Sequence, residues 1–303
     1  MDQKLLQQLE EKYRQLGENP EAYLKGLLEA KPITYWDYVE LETLLSLQRP
    51  RTEYKDETIF IMYHQITELT LKLILHELEQ ITGDTAFDPT KIIQKIRRII
   101  RYTDMLITSY DVMREGMDCD DYNAFRMALT PASGFQSVQF RYIELHCTPL
   151  LNLVNENDKS ELPQNPTAED YFRNIYWRNA GYDRKTGNTK LTLRLFEEKY
   201  LNKLISLAKG LEGNTLQDKL IKIKGSLPEN LRLALRDFDR LYNIKWPLVH
   251  LRTAGHYLDS KGTTKAATGG SKWKRYLHPQ YQQRRFFPNL WSAEEKANWG
   301  TYI

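Results

Sequence analysis

The chain has 303 residues, 41% of them apolar and 27% charged, a length and balance that fit a soluble globular protein with a sizeable core. Its 43 basic and 40 acidic residues are interspersed and leave a net charge of +3, so nothing in the charge pattern favours nucleic acid as a partner. No apolar run reaches the roughly 18 to 20 residues needed to span a bilayer, because Lys72 and its polar neighbours interrupt the best candidate, and no membrane partner is expected.

The first segment, "MDQKLLQQLEEKYRQLGENP", is amphipathic and charged, unlike a secretory or transit peptide, and points to a cytoplasmic protein. Helical periodicity covers residues 3 to 16, 20 to 30 and 34 to 48. The longest element runs from 56 to 82 and would be about 40 Å long at roughly 1.5 Å per residue. A second long helix is predicted over 88 to 117, with Asp88 as N-cap and Pro89 at the first helical position. Its basic stretch "KIRRIIR" reads as a solvated face. "DCDDYNAFRMAL" gives a third helix that ends before Pro131, and "GFQSVQFRYIELHCTPLLNLVN" a fourth.

Residues 155 to 190 are polar and loop-rich, an insertion around a short helix near 169 to 178. Helical pattern resumes over 191 to 210 and again from about 229 to 259, where Pro247 should kink or split the helix. The loop over 259 to 275 is rich in Gly, Thr and Lys, and the aromatic tail "RRFFPNLWSAEEKANWG" should pack across the domain. No alternating stretch is long enough for a sheet. The expected fold is all-α, a single-domain helical bundle over 1 to 303.

Cys119 and Cys147 form no CxxC pair and read as reduced thiols; no CxxCH is present for covalent haem attachment. His64 lies in the helix over 56 to 82 with Phe60 and Ile61 one turn before it and Thr67 and Glu68 one turn after. Taken alone, such a residue is more often a core histidine bonded to a neighbouring helix. The same wall also suits a flat apolar ligand with one polar edge. His250 follows Pro247 in "NIKWPLVHLRTAGHYL", and a neutral imidazole in an apolar helix is the usual axial ligand of a b-type haem. His256, six residues on, points about 240° round the helix and cannot share its metal. No HExxH or second spaced pair appears, which argues against zinc. His76, His146 and His278 read as structural or surface residues.

Tyr122 and Arg126 share a helix face, and an arginine beside aromatic walls can grip a carboxylate in bidentate fashion, although a surface ion pair is the commoner use. "TPASGFQS" is small and turn-like, so Ser133 and Gly134 can bring backbone close to a ligand. "ATGGS", residues 267 to 271, offers Thr268 and Gly269 as further ligand contacts but is no phosphate loop.

"FIMYHQITEL" and "FRMALTPASGFQSVQFRYIE", with "TYWDYVELETLLSLQ", "KWPLVH" and "ATGGS" in the same order, resemble the tryptophan 2,3-dioxygenase family over residues 33 to 150 and, more loosely, 240 to 277. The resemblance implies an all-helical homotetramer with one non-covalent haem b per subunit, ferrous in the active form. His250 would be the iron ligand and His64 the distal histidine facing the indole N–H. Phe60 and Tyr122 would line the indole pocket, with Arg126 on the substrate carboxylate and Thr268 on its ammonium group. Ser133 is a further substrate-side candidate, and Gly134 and Gly269 are cofactor-side candidates. Tyr35 and Tyr38 would come from a neighbouring subunit to complete the pocket. The implied reaction opens the C2–C3 bond of L-tryptophan with O2 to give N-formylkynurenine.

The sequence departs from the family pattern at Thr70 and Leu71, where Trp-Phe is usual, and at Ala267, Lys272 and Trp273, where GTGGSSG is usual. A haem-dependent monooxygenase of another aromatic amino acid, or a non-catalytic haem sensor, would keep the same two histidines. A purely structural helical protein would need neither.

Overall fold

The computed structural model describes residues 2–84, 88–183, 186–223, 226–259 and 273–301. Their regular structure is helical. The only strand-like pairings among them are two isolated bridges, Val154 with Ile175 and Tyr182 with Thr189. The all-α expectation therefore holds. The chain divides into two compact units, residues 1–49 and 50–303.

The first unit holds α1 (Gln3–Gln15), α2 (Pro20–Glu29), α3 (Tyr35–Tyr38) and α4 (Leu41–Leu45). Asp2, Asn19 and Thr34 cap the first three through side-chain oxygens that accept first-turn N–H groups. The single helix expected over 34 to 48 is broken because Glu40 takes a left-handed backbone at φ 52°. None of these four helices has a buried residue.

The second unit is built on α5 (Asp56–Gly83), which packs against α6 (Pro89–Thr108) and α9 (Val138–Cys147). Asp88 caps α6 with Pro89 at its start, as the sequence predicts. Ile92, Ile96, Ile99, Leu106 and Ile107 bury one face of α6, while Arg97, Arg98 and Arg101 stay exposed. The helix expected to reach residue 117 stops at Thr108 and restarts as α7 (Tyr110–Gly116). Its break has a local cause: the hydroxyls of Thr108 and Ser109 donate back to the carbonyls of Asp104 and Leu106, each at 3.0 Å. α8 (Cys119–Phe125) follows and tightens into a 3₁₀ turn, Arg126–Leu129.

α10 (Ala168–Arg173) sits in the loop-rich segment, and α11 (Leu191–Gly210) and α12 (Leu216–Ile221) come next. Around α10 and α11 a second core gathers Phe172, Trp177, Leu193, Phe196 and Leu204. α13 (Glu229–Arg240) and α14 (Trp246–Leu258) are joined by a π-turn, Leu241–Lys245. Pro247 explains it: proline has no N–H for the carbonyl four residues back and its ring crowds that carbonyl, and a wider turn relieves both.

The C-terminal segment carries α15 (Trp273–Leu277), α16 (Pro279–Gln282) and α17 (Ala293–Ala297). Its aromatic tail packs inward as expected. Phe286 and Phe287 are almost fully buried against Phe238 in the main core. The Asp239 carboxylate, fully buried, accepts from the backbone N–H of Phe286 and Phe287, Trp291 Nε1 and Asn243 Nδ2. Burial raises its pKa against the pull of these donors. Arg284 links Asn243 in the π-turn to Glu144 on α9, so the tail is clamped to the start of α14.

Cys119 and Cys147 are both free thiols. No helix among the described residues is long and apolar enough to cross a membrane.

Candidate active site

α5 and α14 face each other across a cleft with about 1410 Å³ of atom-free space, counted out to its open mouth. Helical spacing selects its walls. Phe60, Tyr63, His64, Thr67 and Glu68 come from one face of α5; Trp246, His250, Thr253, Ala254 and Tyr257 come from one face of α14. Tyr122 enters from α8, and Ser133, Gly134 and Ser137 from the turn before α9. That turn is held by a reciprocal cap between Ser133 and Gln136.

His64 has a defined tautomer. Its Nδ1 lies 2.7 Å from the carbonyl oxygen of Phe60, one turn earlier. A carbonyl can only accept, so Nδ1 carries the proton and Nε2 is left with a lone pair. Burial lowers the pKa of His64, against the raising effects of the Phe60 carbonyl and the Glu68 carboxylate, so the ring is neutral at pH 7. Phe60 stacks on it at 4.1 Å between ring centroids, and Tyr122 lies 6.0 Å from Phe60.

His250 is also neutral: burial, then the nearby His64, brings its pKa down to about 4. Its open surface faces the cleft it lines, while protein atoms surround it on the other sides. Tyr110 stacks on its ring at 5.4 Å and 28°. No hydrogen bond to His250 is formed by the described residues, so a nitrogen lone pair is available to a metal.

Arg126 is buried, 5% exposed, and interacts with the Tyr122 hydroxyl, whose pKa is raised by burial and tempered by the guanidinium. It stands behind Tyr122 and is not itself on the cleft wall. Phe60, His64, Tyr122, Ser133, Gly134 and His250 are therefore brought together at one cleft, with Arg126 behind it. Thr268, Gly269 and most of the loop over 259 to 275 lie outside the described residues. Tyr35 and Tyr38 belong to the first unit and are 71% and 76% exposed.

Beside His250 a side pocket opens toward Arg141, Tyr176, Tyr276 and Arg284. Arg141 is 4% exposed; its Nη atoms reach Glu144, Tyr176 and Tyr276, but its buried Nε has no acceptor. The hydroxyls of Ser137 and Thr253, both at the main cleft, are likewise unpartnered. A buried guanidinium N–H without an acceptor is costly. It fits an anionic group that enters beside His250. A flat macrocycle with carboxylate arms and a metal for His250 matches this donor set.

Spacing from His250 could have found Trp246, Thr253, Ala254 and Tyr257, by the rule that picked Phe60 for His64. Tyr110, Lys190, Thr192 and Tyr276 carry no such signal and reach the cleft through tertiary folding. His256 points away from the cleft, with Nε2 3.3 Å from Cys119 Sγ.

A family model described as tryptophan 2,3-dioxygenase matches residues 25–174. The tryptophan 2,3-dioxygenase of Herpetosiphon aurantiacus is 30% identical over 276 residues, covering 87% of this chain and 98% of that protein. The chain belongs to the tryptophan 2,3-dioxygenase family. The Ruegeria sp. (strain TM1040) enzyme of the same name is 29% identical over 273 residues, 87% of this chain and 92% of its own length. The one from Ruegeria pomeroyi reaches 39%, over 119 residues covering 38% and 42% of the two chains. This family member is an oxidoreductase. The family-model match contains His64, Tyr122, Arg126, Ser133, Gly134 and Arg141; Lys190 and His250 lie beyond it.

Proposed function

We propose that this dioxygenase family member opens the indole C2–C3 bond of L-tryptophan with O2 to form N-formylkynurenine, using a non-covalent haem b with His250 as the iron ligand. The observation that carries the reading is the pair of neutral imidazoles on one cleft, with the Nε2 lone pair of His64 freed by the Phe60 carbonyl. Haem, when bound in its ferrous form, supplies the iron chemistry that activates dioxygen.

The protein's part is position and electrostatics. His64 accepts the indole N–H and orients the ring. Phe60 and Tyr122 pack on its faces and keep water from the reacting carbons. Arg126, through its bond with Tyr122 at the indole end, is the cation for the amino-acid carboxylate. Ser133 and Thr268 serve the polar end of the substrate, Gly134 and Gly269 allow close approach of backbone to haem, and the unpartnered Nε of Arg141 suits a haem carboxylate.

The same reading includes a cytoplasmic homotetramer in which Tyr35 and Tyr38 complete a neighbouring subunit's site. Two features support assembly. The first unit buries none of its helical residues, and Leu27, Leu28, Ile33 and Trp36 are exposed in it. On α5, Met62, Ile66, Leu69 and Leu73 form an exposed apolar stripe at helical spacing.

The test is one aerobic turnover of reduced, haem-loaded protein with L-tryptophan, read by product mass. Gain of two oxygen atoms is expected. Gain of one would replace the reading with a monooxygenase, and haem binding without any product from aromatic amino acids would replace it with a sensor.

A further inference from the structure

We infer that Lys190 is a carboxylate-binding residue of the active-site cleft, a role that rests on the haem and amino-acid reading above. Among the described residues that line the cleft, Lys190 is the only one with a permanently cationic side chain. Glu68 is the only carboxylate there, and its Oε2 already accepts the amide of Gln139 at 2.8 Å.

Lys190 is held in place from three directions. Its backbone N–H donates to the Gly181 carbonyl at 2.8 Å, and its Nζ lies 3.5 Å from the carbonyl of Ala180, both of them cleft residues. Two residues on, the Thr192 hydroxyl donates to Pro131 and the Thr192 carbonyl accepts from Gln136, which ties this segment to the turn that carries Ser133 and Gly134. The ammonium group therefore stands on a fixed rim. Lys190 is also the N-cap of α11, and its side chain makes no capping bond, so the positive end of a 20-residue helix opens at the same place.

The charges count in favour of this role. Haem brings two propionates and a free amino acid brings one carboxylate, three anions in all. Around the cleft stand three cations: Arg126 behind Tyr122, Arg141 with its unpartnered Nε in the side pocket, and Lys190 at the rim. Without Lys190 one carboxylate would lack a cationic partner. The partner is a carboxylate, either a haem propionate or the substrate's own.

The experiment compares wild type, K190M, K190E and K190R as full-length holoenzymes. Haem loss to excess apomyoglobin is followed for protohaem and for its dimethyl ester, and the binding of L-tryptophan and tryptamine is read from the haem spectrum. If the partner is a propionate, K190M loses protohaem about fivefold faster, the upper end for an exposed charge pair, K190E faster still, and the dimethyl ester shows no difference. If the partner is the substrate, haem loss is unchanged while L-tryptophan binds about fivefold more weakly and tryptamine does not. In either case K190R restores wild-type behaviour and the effect shrinks between about 0.02 M and about 0.5 M salt.

All variants within twofold of wild type in every arm, or a K190M defect that K190R and salt leave untouched, would overturn the inference alone. A wild type that takes up no haem overturns the functional reading and this inference with it.

Discussion

His64 Nδ1 and the carbonyl oxygen of Phe60 are 2.7 Å apart, and this single bond decides which nitrogen of the imidazole faces the cleft. Phe60 thus has two tasks, since its ring packs on the same histidine at 4.1 Å. One helical turn delivers both the apolar wall and the polar acceptor.

His64→Ala removes one neutral acceptor and no iron ligand. Haem content should stay as in wild type, and turnover should fall about tenfold, the effect of one lost hydrogen bond in the oriented complex. A variant that no longer retains haem would show that His64 and His250 have been assigned to each other's roles.

His250→Ala should abolish haem retention after gel filtration, read from the absorption band near the Soret region. The fold should survive, because no hydrogen bond of the described residues depends on this ring. Normal haem content in this variant would remove His250 as the iron ligand.

Arg126→Ala should raise the Michaelis constant for L-tryptophan roughly a hundredfold with the haem spectrum unchanged, since a buried cation for the carboxylate is lost. Tryptamine, which has no carboxylate, should be much less affected. An unaltered constant would take Arg126 out of the substrate site.

His146 gives a stability prediction that does not involve haem. It is buried, 6% exposed, with Nδ1 2.8 Å from the Thr82 hydroxyl, and burial brings its pKa down to about 4. The folded state therefore holds the neutral ring, while the unfolded chain takes up a proton below its ordinary pKa near 6.5. This contribution is fully present above about pH 6.5 and is lost as pH falls toward about 4, with a change of up to about 3 kcal/mol. Apoprotein melting temperatures over this range should drop less steeply in His146→Gln than in wild type. Parallel curves would show that another group controls the acid limb.

Local physics made much of this protein legible from its residues. The periodicity of α5, α6 and α11, the Asp88–Pro89 start and the solvated arginines of α6 all follow from helical spacing and end chemistry. The breaks at Glu40 and Ser109 escaped that reading. An apolar repeat continues across a turn that the backbone or a pair of hydroxyls interrupts. Pro247 announced a disturbance, but a π-turn clamped by Asn243 and Arg284 depends on a tail segment some 40 residues away in sequence.

At the site, sequence alone determined which residue types could bind a flat cofactor and an amino acid, because imidazoles and arginines stand out against apolar helices. Only the tertiary structure decided which nitrogen His64 offers, that Arg126 stands behind Tyr122, and that Arg141 and Lys190 meet the same cleft. Hydrogen-bond direction and burial are properties of neighbours, and the neighbours of Lys190 at the cleft are residues of α5 and α14 that lie far from it along the chain.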